Sequence, residues 1–178
     1  MPVMQISSDM VQVVHPLEPV WDVHSRVLIL GTMPSPASRA QGFYYGHPQN
    51  RFWQVLASVL DQPAPAADPA VRKAFALRHG IALYDVLQRC DICGASDASI
   101  KNGIPNDLTP IFAGADIRAV FTTGAKAYAL YQRLCSAAYG RDAILLPSTS
   151  AANCRMSLAA LTEAYLPVRQ FLTEKREV

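Results

Sequence analysis

Charge is scarce in this sequence. Only 17% of its 178 residues are Asp, Glu, Lys or Arg, against 51% that are hydrophobic. That balance excludes a disordered or solvating chain, which is apolar-poor and charge-rich. Long hydrophobic runs are missing too. Stretches such as Val27-Leu28-Ile29-Leu30 are far short of the ~20 residues of a membrane span. Met1 to Val14 has no basic region followed by an apolar core, so no signal peptide is expected and the expected location is cytoplasmic. A chain of this length buries roughly 70% of the surface it exposes when unfolded, so neither disulfides nor metal are needed merely to fold. A single domain over residues 1–178 is expected, with a short N-terminal extension over about residues 1–20.

Cysteine is sparse: Cys90, Cys93, Cys135 and Cys154. Cys90-Asp91-Ile92-Cys93 has the CxxC spacing of a zinc or iron–sulfur knuckle. No second knuckle repeats it, and Cys135 falls in a helical pattern, so reduced, unligated thiols and no metal are expected. GxxxxGK[ST], GxGxxG and GxSxG are all absent. Nucleotide cofactors and serine hydrolysis therefore lack support, and no cofactor is expected. A net charge of +2 and a pI near 8.4 are low for a non-specific DNA coater. Nucleic-acid chemistry remains open if the positive charges gather on one surface.

Four β-like runs are present: Arg26–Leu30, Ile81–Val86, Ala119–Thr123 and Ala143–Leu146. The first, third and fourth are continuously apolar rather than alternating, which suits strands covered on both faces. Helical spacing joins Trp53, Leu56 and Leu60, then Val71 to Leu77, then Tyr128 to Ala138, then Leu158 to Leu172. Pro167 is expected to kink or split the last helix. Alternating strands and helices predict a three-layer α/β/α sandwich around a central, mainly parallel four-stranded sheet.

In such sheets ligands bind beyond the carboxyl ends of the strands. After the first run comes Gly31-Thr32-Met33-Pro34-Ser35-Pro36-Ala37-Ser38, and after the fourth Pro147-Ser148-Thr149-Ser150-Ala151-Ala152-Asn153. Each loop alone reads as a plain connector. Together at one sheet edge, their hydroxyls and backbone N–H groups can bind phosphate oxygens. The richest segment is Gln41 to Trp53, which crowds aromatics, His47, Asn50 and Arg51 between a loop and a helix. Trp53 reads as core, whereas Tyr44 or Tyr45 can remain open to stack on a base. Asn50 reads either as an N-cap or as a functional amide. Thr122 and Thr123 end a strand, where their hydroxyls either face a base edge or stay buried.

The segment GTMPSPASRAQGFYYGHPQNRFW resembles the first motif of the uracil-DNA glycosylase superfamily, closest to its hypoxanthine-DNA (deoxyinosine) branch. LPSTSAAN resembles that branch's second motif and SIKNGIPNDL its middle segment, so the resemblance runs from about Val27 to Asn153. It implies hydrolysis of the N-glycosidic bond of a deaminated base flipped from DNA, with hypoxanthine favoured over uracil or xanthine. By resemblance, Tyr45 stacks on the base and Asn50 is catalytic, orienting water through its amide. The Thr32 and Met33 backbone N–H groups would by the same resemblance face base or water, and Thr123, from its place at the strand end rather than from the resemblance, is the expected base contact of the two threonines. Ser35 and Ser148 pinch phosphates, while Ser38, Arg51, Thr149, Ser150 and Asn153 join them against DNA. Arg39, Lys101, Lys126 and Arg155 lie in or beside these segments and would complete a positive rim.

The chain departs from many superfamily members at two places. Met33 stands where they carry a water-activating Asp or Asn, and Leu146 where the second motif begins with His or Asn. Both departures fit the deoxyinosine branch. They also keep open a catalytically inactive nucleic-acid- or nucleotide-binding module of the same fold. With no evident lysine nucleophile, a monofunctional glycosylase is expected. Its expected partner is DNA containing deaminated bases, with no membrane, no obligate protein partner and a monomeric state.

Overall fold

The computed structural model describes residues 10–173. Its strands are β1 (Val11–Val14), β2 (Val27–Gly31), β3 (Ile81–Asp85), β4 (Leu87–Ile92), β5 (Lys101–Pro105), β6 (Ala119–Thr123) and β7 (Ala143–Leu146). Its α-helices are α1 (Pro36–Gln41), α2 (Phe52–Val59), α3 (Pro69–Arg78), α4 (Thr109–Gly114), α5 (Ala125–Tyr131), α6 (Ala137–Tyr139) and α7 (Leu158–Thr173).

Four strands form a parallel sheet in the order β3-β2-β6-β7, and helices flank it as the alternation predicts. Every residue of β2 is buried. Ile29 turns with Phe121 into one core, where Phe52, Trp53, Leu56, Tyr165 and Val168 pack from α2 and α7. Leu28, Leu30 and Val120 turn to the other face and meet Leu108, Ile111, Leu130 and Tyr131. Alternate side chains of one strand thus feed two cores, which is why its sequence is apolar at successive positions. Truncating a buried Phe or Trp costs about 3–5 kcal/mol, so Phe52 and Trp53 fix the start of α2 firmly.

Three local expectations change. β7 is an edge strand with Ile144 38% and Leu145 49% exposed, so its apolar run is not covered on both faces. α7 continues through Pro167, which removes one N–H from the helix ladder without splitting it. The Tyr128 to Ala138 pattern opens as α5, passes through a π-helical turn over Gln132–Ser136, and closes as α6.

A second sheet lies outside the predicted alternation. It is antiparallel, in the order β1-β4-β5, with Val14 opposite Arg89 and Val11 opposite Ile92. The His15 N–H then donates to Gln88 O at 2.7 Å, and Val20 exchanges backbone hydrogen bonds with Leu83. Residues 10–20 of the expected N-terminal extension are therefore woven into both sheets, while residues 1–9 lie outside the described residues. Cys90 is buried in β4, Cys135 lies in the π-helical turn, and Cys154 is exposed. Among the described residues no three His, Cys, Asp or Glu side chains gather to hold a metal ion. Nor is any described helix long and apolar enough to cross a membrane.

The parallel register aligns the strand ends. Gly31 pairs with Asp85, and Thr123 with Leu146, so four strands release their loops at one edge.

Candidate active site

A cavity of about 530 Å³ opens at that edge. Gly31 to Pro36 and Ser38 wall one side, Tyr45, His47 and Asn50 another, and Ser148 with Ser150 to Ala152 a third, with Asp85 and Thr123 also lining it. The two loops singled out in the sequence meet here. Most of the expected site residues line the cavity; Arg51, Thr149 and Asn153 stand behind its wall.

Asn50 serves two functions at once. It is not the N-cap of α2, which is Arg51, but stands one position before it, where its Oδ1 accepts the Phe52 backbone N–H at 2.9 Å and the Thr149 hydroxyl at 2.8 Å. An amide N–H can only donate, so Phe52 fixes which side of the carboxamide is oxygen. The Asn50 NH2 remains as the donor side of a cavity-lining carboxamide. Thr149 is 2% exposed, so the bond that orients Asn50 is shielded from water.

Arg51 straps the motifs together rather than extending into solvent. Its guanidinium donates to Met156 O and to Asn153 O, and its backbone N–H donates to Thr149 O at 3.1 Å. Within the second loop, Asn153 Nδ2 donates to Ser148 O at 2.8 Å, Ser148 Oγ accepts the Ser150 N–H, and Ser150 Oγ accepts the Ala152 N–H. The Tyr165 hydroxyl closes the base of this loop on Pro147 O at 2.6 Å.

On the first loop, Ser35 Oγ caps α1 by accepting the Ser38 N–H at 3.1 Å. Ser38 is buried, and its hydroxyl accepts the Gly46 N–H at 3.0 Å. It therefore shapes the turn that presents Tyr45. Thr32 is buried, with its carbonyl held by the Leu87 N–H, and half-buried Met33 packs against the core on the antiparallel-sheet side. His47 Nδ1 accepts the Gln49 N–H at 3.1 Å and orders its own turn.

The two tyrosines part company. Tyr44 is 2% exposed, with its hydroxyl on Glu18 O and its carbonyl accepting the Trp53 indole N–H. Tyr45 is only half-buried and adopts a left-handed φ of 53°. One ring face stacks on Phe52, with centroids 3.7 Å apart and planes 12° from parallel. Its hydroxyl meets Thr123 Oγ1 at 3.2 Å. Burial first, and then the Asp85 carboxylate, hold the Tyr45 phenol well above its ordinary pKa, so it acts as a neutral hydroxyl.

Sequence reasoning missed Asp85 and His15. Asp85 ends β3 on the cavity wall at 4% exposure, and His15 Nε2 donates to its Oδ2 at 2.7 Å. His15 comes from the residue after β1, placed by that strand's pairing with β4. Asp97 also lines the cavity. Desolvation raises its carboxyl above the usual range, against the Thr32 hydroxyl, with the Asp85 charge adding to the rise and Lys126 opposing it. An acidic residue ending an otherwise apolar strand was the available signal for Asp85.

Comparison with known proteins points the same way. Residues 19–169 match the sequence profile described as the uracil DNA glycosylase superfamily. A hypoxanthine DNA glycosylase of Methanosarcina barkeri is 31% identical over 143 residues, which is 77% of this chain and 86% of the relative. Its counterpart in Methanosarcina acetivorans is 32% identical over 141 residues, covering 78% and 87% respectively. The solution NMR structure of a Methanosarcina acetivorans protein, described as a candidate uracil DNA glycosylase, superposes with a TM-score of 0.73 at 27% identity. That match covers 88% of this chain and 97% of the other.

Proposed function

Because this chain belongs to the uracil DNA glycosylase superfamily and is a DNA glycosylase, we propose that it excises a deaminated base, hypoxanthine before uracil or xanthine. The observation that carries this reading is the meeting of Asn50, the open Tyr45 ring and both serine-rich loops around one cavity.

The N-glycosidic bond breaks with positive charge developing on the sugar and negative charge on the departing base. A base turned out of the duplex enters the cavity and rests on the face of Tyr45 not taken by Phe52. The Asn50 NH2 then hydrogen-bonds the attacking water or the developing charge, in an orientation fixed by Phe52 and Thr149. Ser35 and Ser148 hold flanking phosphates, and Ser38, Ser150 and Asn153 shape the loops around them. Arg39, Lys126 and Arg155 form a local positive rim, which suits an enzyme that binds a short stretch of DNA and moves on. Among the described residues none that lines the cavity is a lysine, which supports a monofunctional enzyme with no amine there for a lyase step.

Single-turnover assays on duplexes carrying deoxyinosine, deoxyuridine or deoxyxanthosine test the proposal. Strand breaks appearing only after alkali, fastest for deoxyinosine, are expected. Absence of breaks above the no-enzyme control on every substrate overturns it.

A further inference from the structure

Three polar atoms converge above the α-carbon of Gly31. A β-carbon built at that residue would lie 2.5 Å from Asp85 Oδ1, 3.5 Å from the Tyr45 hydroxyl oxygen and 3.6 Å from Thr123 Oγ1. All four residues line the cavity. A side chain at this residue would displace the carboxylate.

The donors and acceptors of this cluster can be counted. Asp85 Oδ2 is taken by His15 Nε2, while Oδ1 carries no hydrogen bond from any described residue and is an acceptor. Tyr45 and Thr123 share one hydrogen bond, so whichever hydroxyl donates in it, the hydrogen of the other remains for a ligand. The cavity wall therefore presents an acceptor beside a donor.

We infer that Asp85 Oδ1 and the Tyr45–Thr123 hydroxyl pair read the lactam edge that deamination creates. Hypoxanthine presents an N1–H donor beside its C6 carbonyl acceptor, and uracil presents N3–H beside a carbonyl. Adenine and cytosine present the reverse, a bare ring nitrogen beside an amino group. A carboxylate facing that bare nitrogen leaves two acceptors opposed and unpaired, and sites built to hydrogen-bond a substrate reject analogues in this way. His15 is a positioning residue: its Nε2–H holds Oδ2 and so aims Oδ1 at the cavity. This inference rests on the proposed excision of deaminated bases and assigns the recognition within it.

Asp85→Asn is the decisive variant. With His15 Nδ1 accepting the Leu17 N–H, Nε2–H takes the oxygen of the introduced amide and its NH2 faces the cavity; Asp85→Leu, which offers no acceptor in either imidazole tautomer, is measured beside it. The readout is the inosine-to-adenosine ratio. It is measured by single-turnover cleavage and by binding of duplexes carrying non-cleavable 2′-fluoro forms of each nucleoside. Asp85→Asn and Asp85→Leu are each expected to lower both ratios by about ten-fold or more. A ratio within about three-fold of wild type overturns the inference, including the case where both rates fall together as a purely structural role requires. A wild-type protein that releases no deaminated base overturns the proposed function instead, and the fluorinated-duplex ratio then still decides the role of Asp85.

Discussion

Thr149 donates its hydroxyl hydrogen to Asn50 Oδ1 at 2.8 Å, joining residues 99 positions apart. The contact makes the second motif a positioning device for the first. Its removal should therefore be felt at the cavity. Thr149→Val keeps the shape of the side chain but leaves Asn50 held only by the Phe52 N–H. Single-turnover excision should fall about five-fold, a loss set by about 1 kcal/mol for the hydrogen bond. Thr149→Ser should restore the rate, and an unchanged rate in the valine variant would show that Asn50 needs no second anchor.

Asn50 combines an oxygen that accepts the Phe52 N–H with a cavity-lining amide, and substitutions can separate the two. Asn50→Ala should lose about 1 kcal/mol of stability with the Phe52 hydrogen bond and about 100-fold in rate with the donor. Asn50→Asp keeps an acceptor for the Phe52 N–H and removes the NH2 donor. Its melting temperature should stay close to wild type while its rate falls as far as that of the alanine variant. Thermal melts beside single-turnover rates check both halves.

Tyr45 carries a left-handed backbone and a ring stacked on Phe52. Tyr45→Ala should weaken base capture by roughly 1–3 kcal/mol of lost stacking. Tyr45→Gly loses the same ring but tolerates the φ of 53°, so it should be about 1 kcal/mol more stable than the alanine variant at equal activity. Denaturant melts of the two variants, with excision rates beside them, test this pairing.

The arginines and lysines divide by what they touch. Arg51 is committed to carbonyls of the second loop, so Arg51→Ala should cost about 2–3 kcal/mol of stability, as expected for hydrogen bonds to a charged group. Arg155→Ala and Lys126→Ala should leave stability intact and each reduce the salt slope of DNA binding by about one. Affinity titrations across a range of salt concentrations, paired with melts, distinguish the two classes.

The four parallel strands were legible because each is a short, largely apolar run, buried in β2, β3 and β6 and partly exposed in the edge strand β7, and the loops after β2 and β7 carry recognisable motifs. β5 was not legible, since Lys101-Asn102-Gly103-Ile104-Pro105 mixes turn residues with a largely exposed surface. Its strand character comes from pairing with β4, a contact that local propensity does not encode. β4 was obscured in turn because its buried positions, Leu87, Cys90 and Ile92, are unevenly spaced where its pairing with β5 shifts register, so no regular alternation marks it. The His15–Asp85 bond spans 70 positions and depends on the antiparallel sheet that went unpredicted. Asn50 was legible as a residue, but its tie to buried Thr149 required the folded loops.

The central claim is that this chain breaks an N-glycosidic bond in DNA through Asn50. Release of free base tests it most directly: a duplex with one deoxyinosine, enzyme in excess, and mass spectrometry of both the base and the strands. Wild type should yield one free hypoxanthine per abasic strand, with the strand unbroken before alkali, and Asn50→Ala about 100-fold more slowly. Strand cleavage without free hypoxanthine, or equal release by Asn50→Ala, would contradict it.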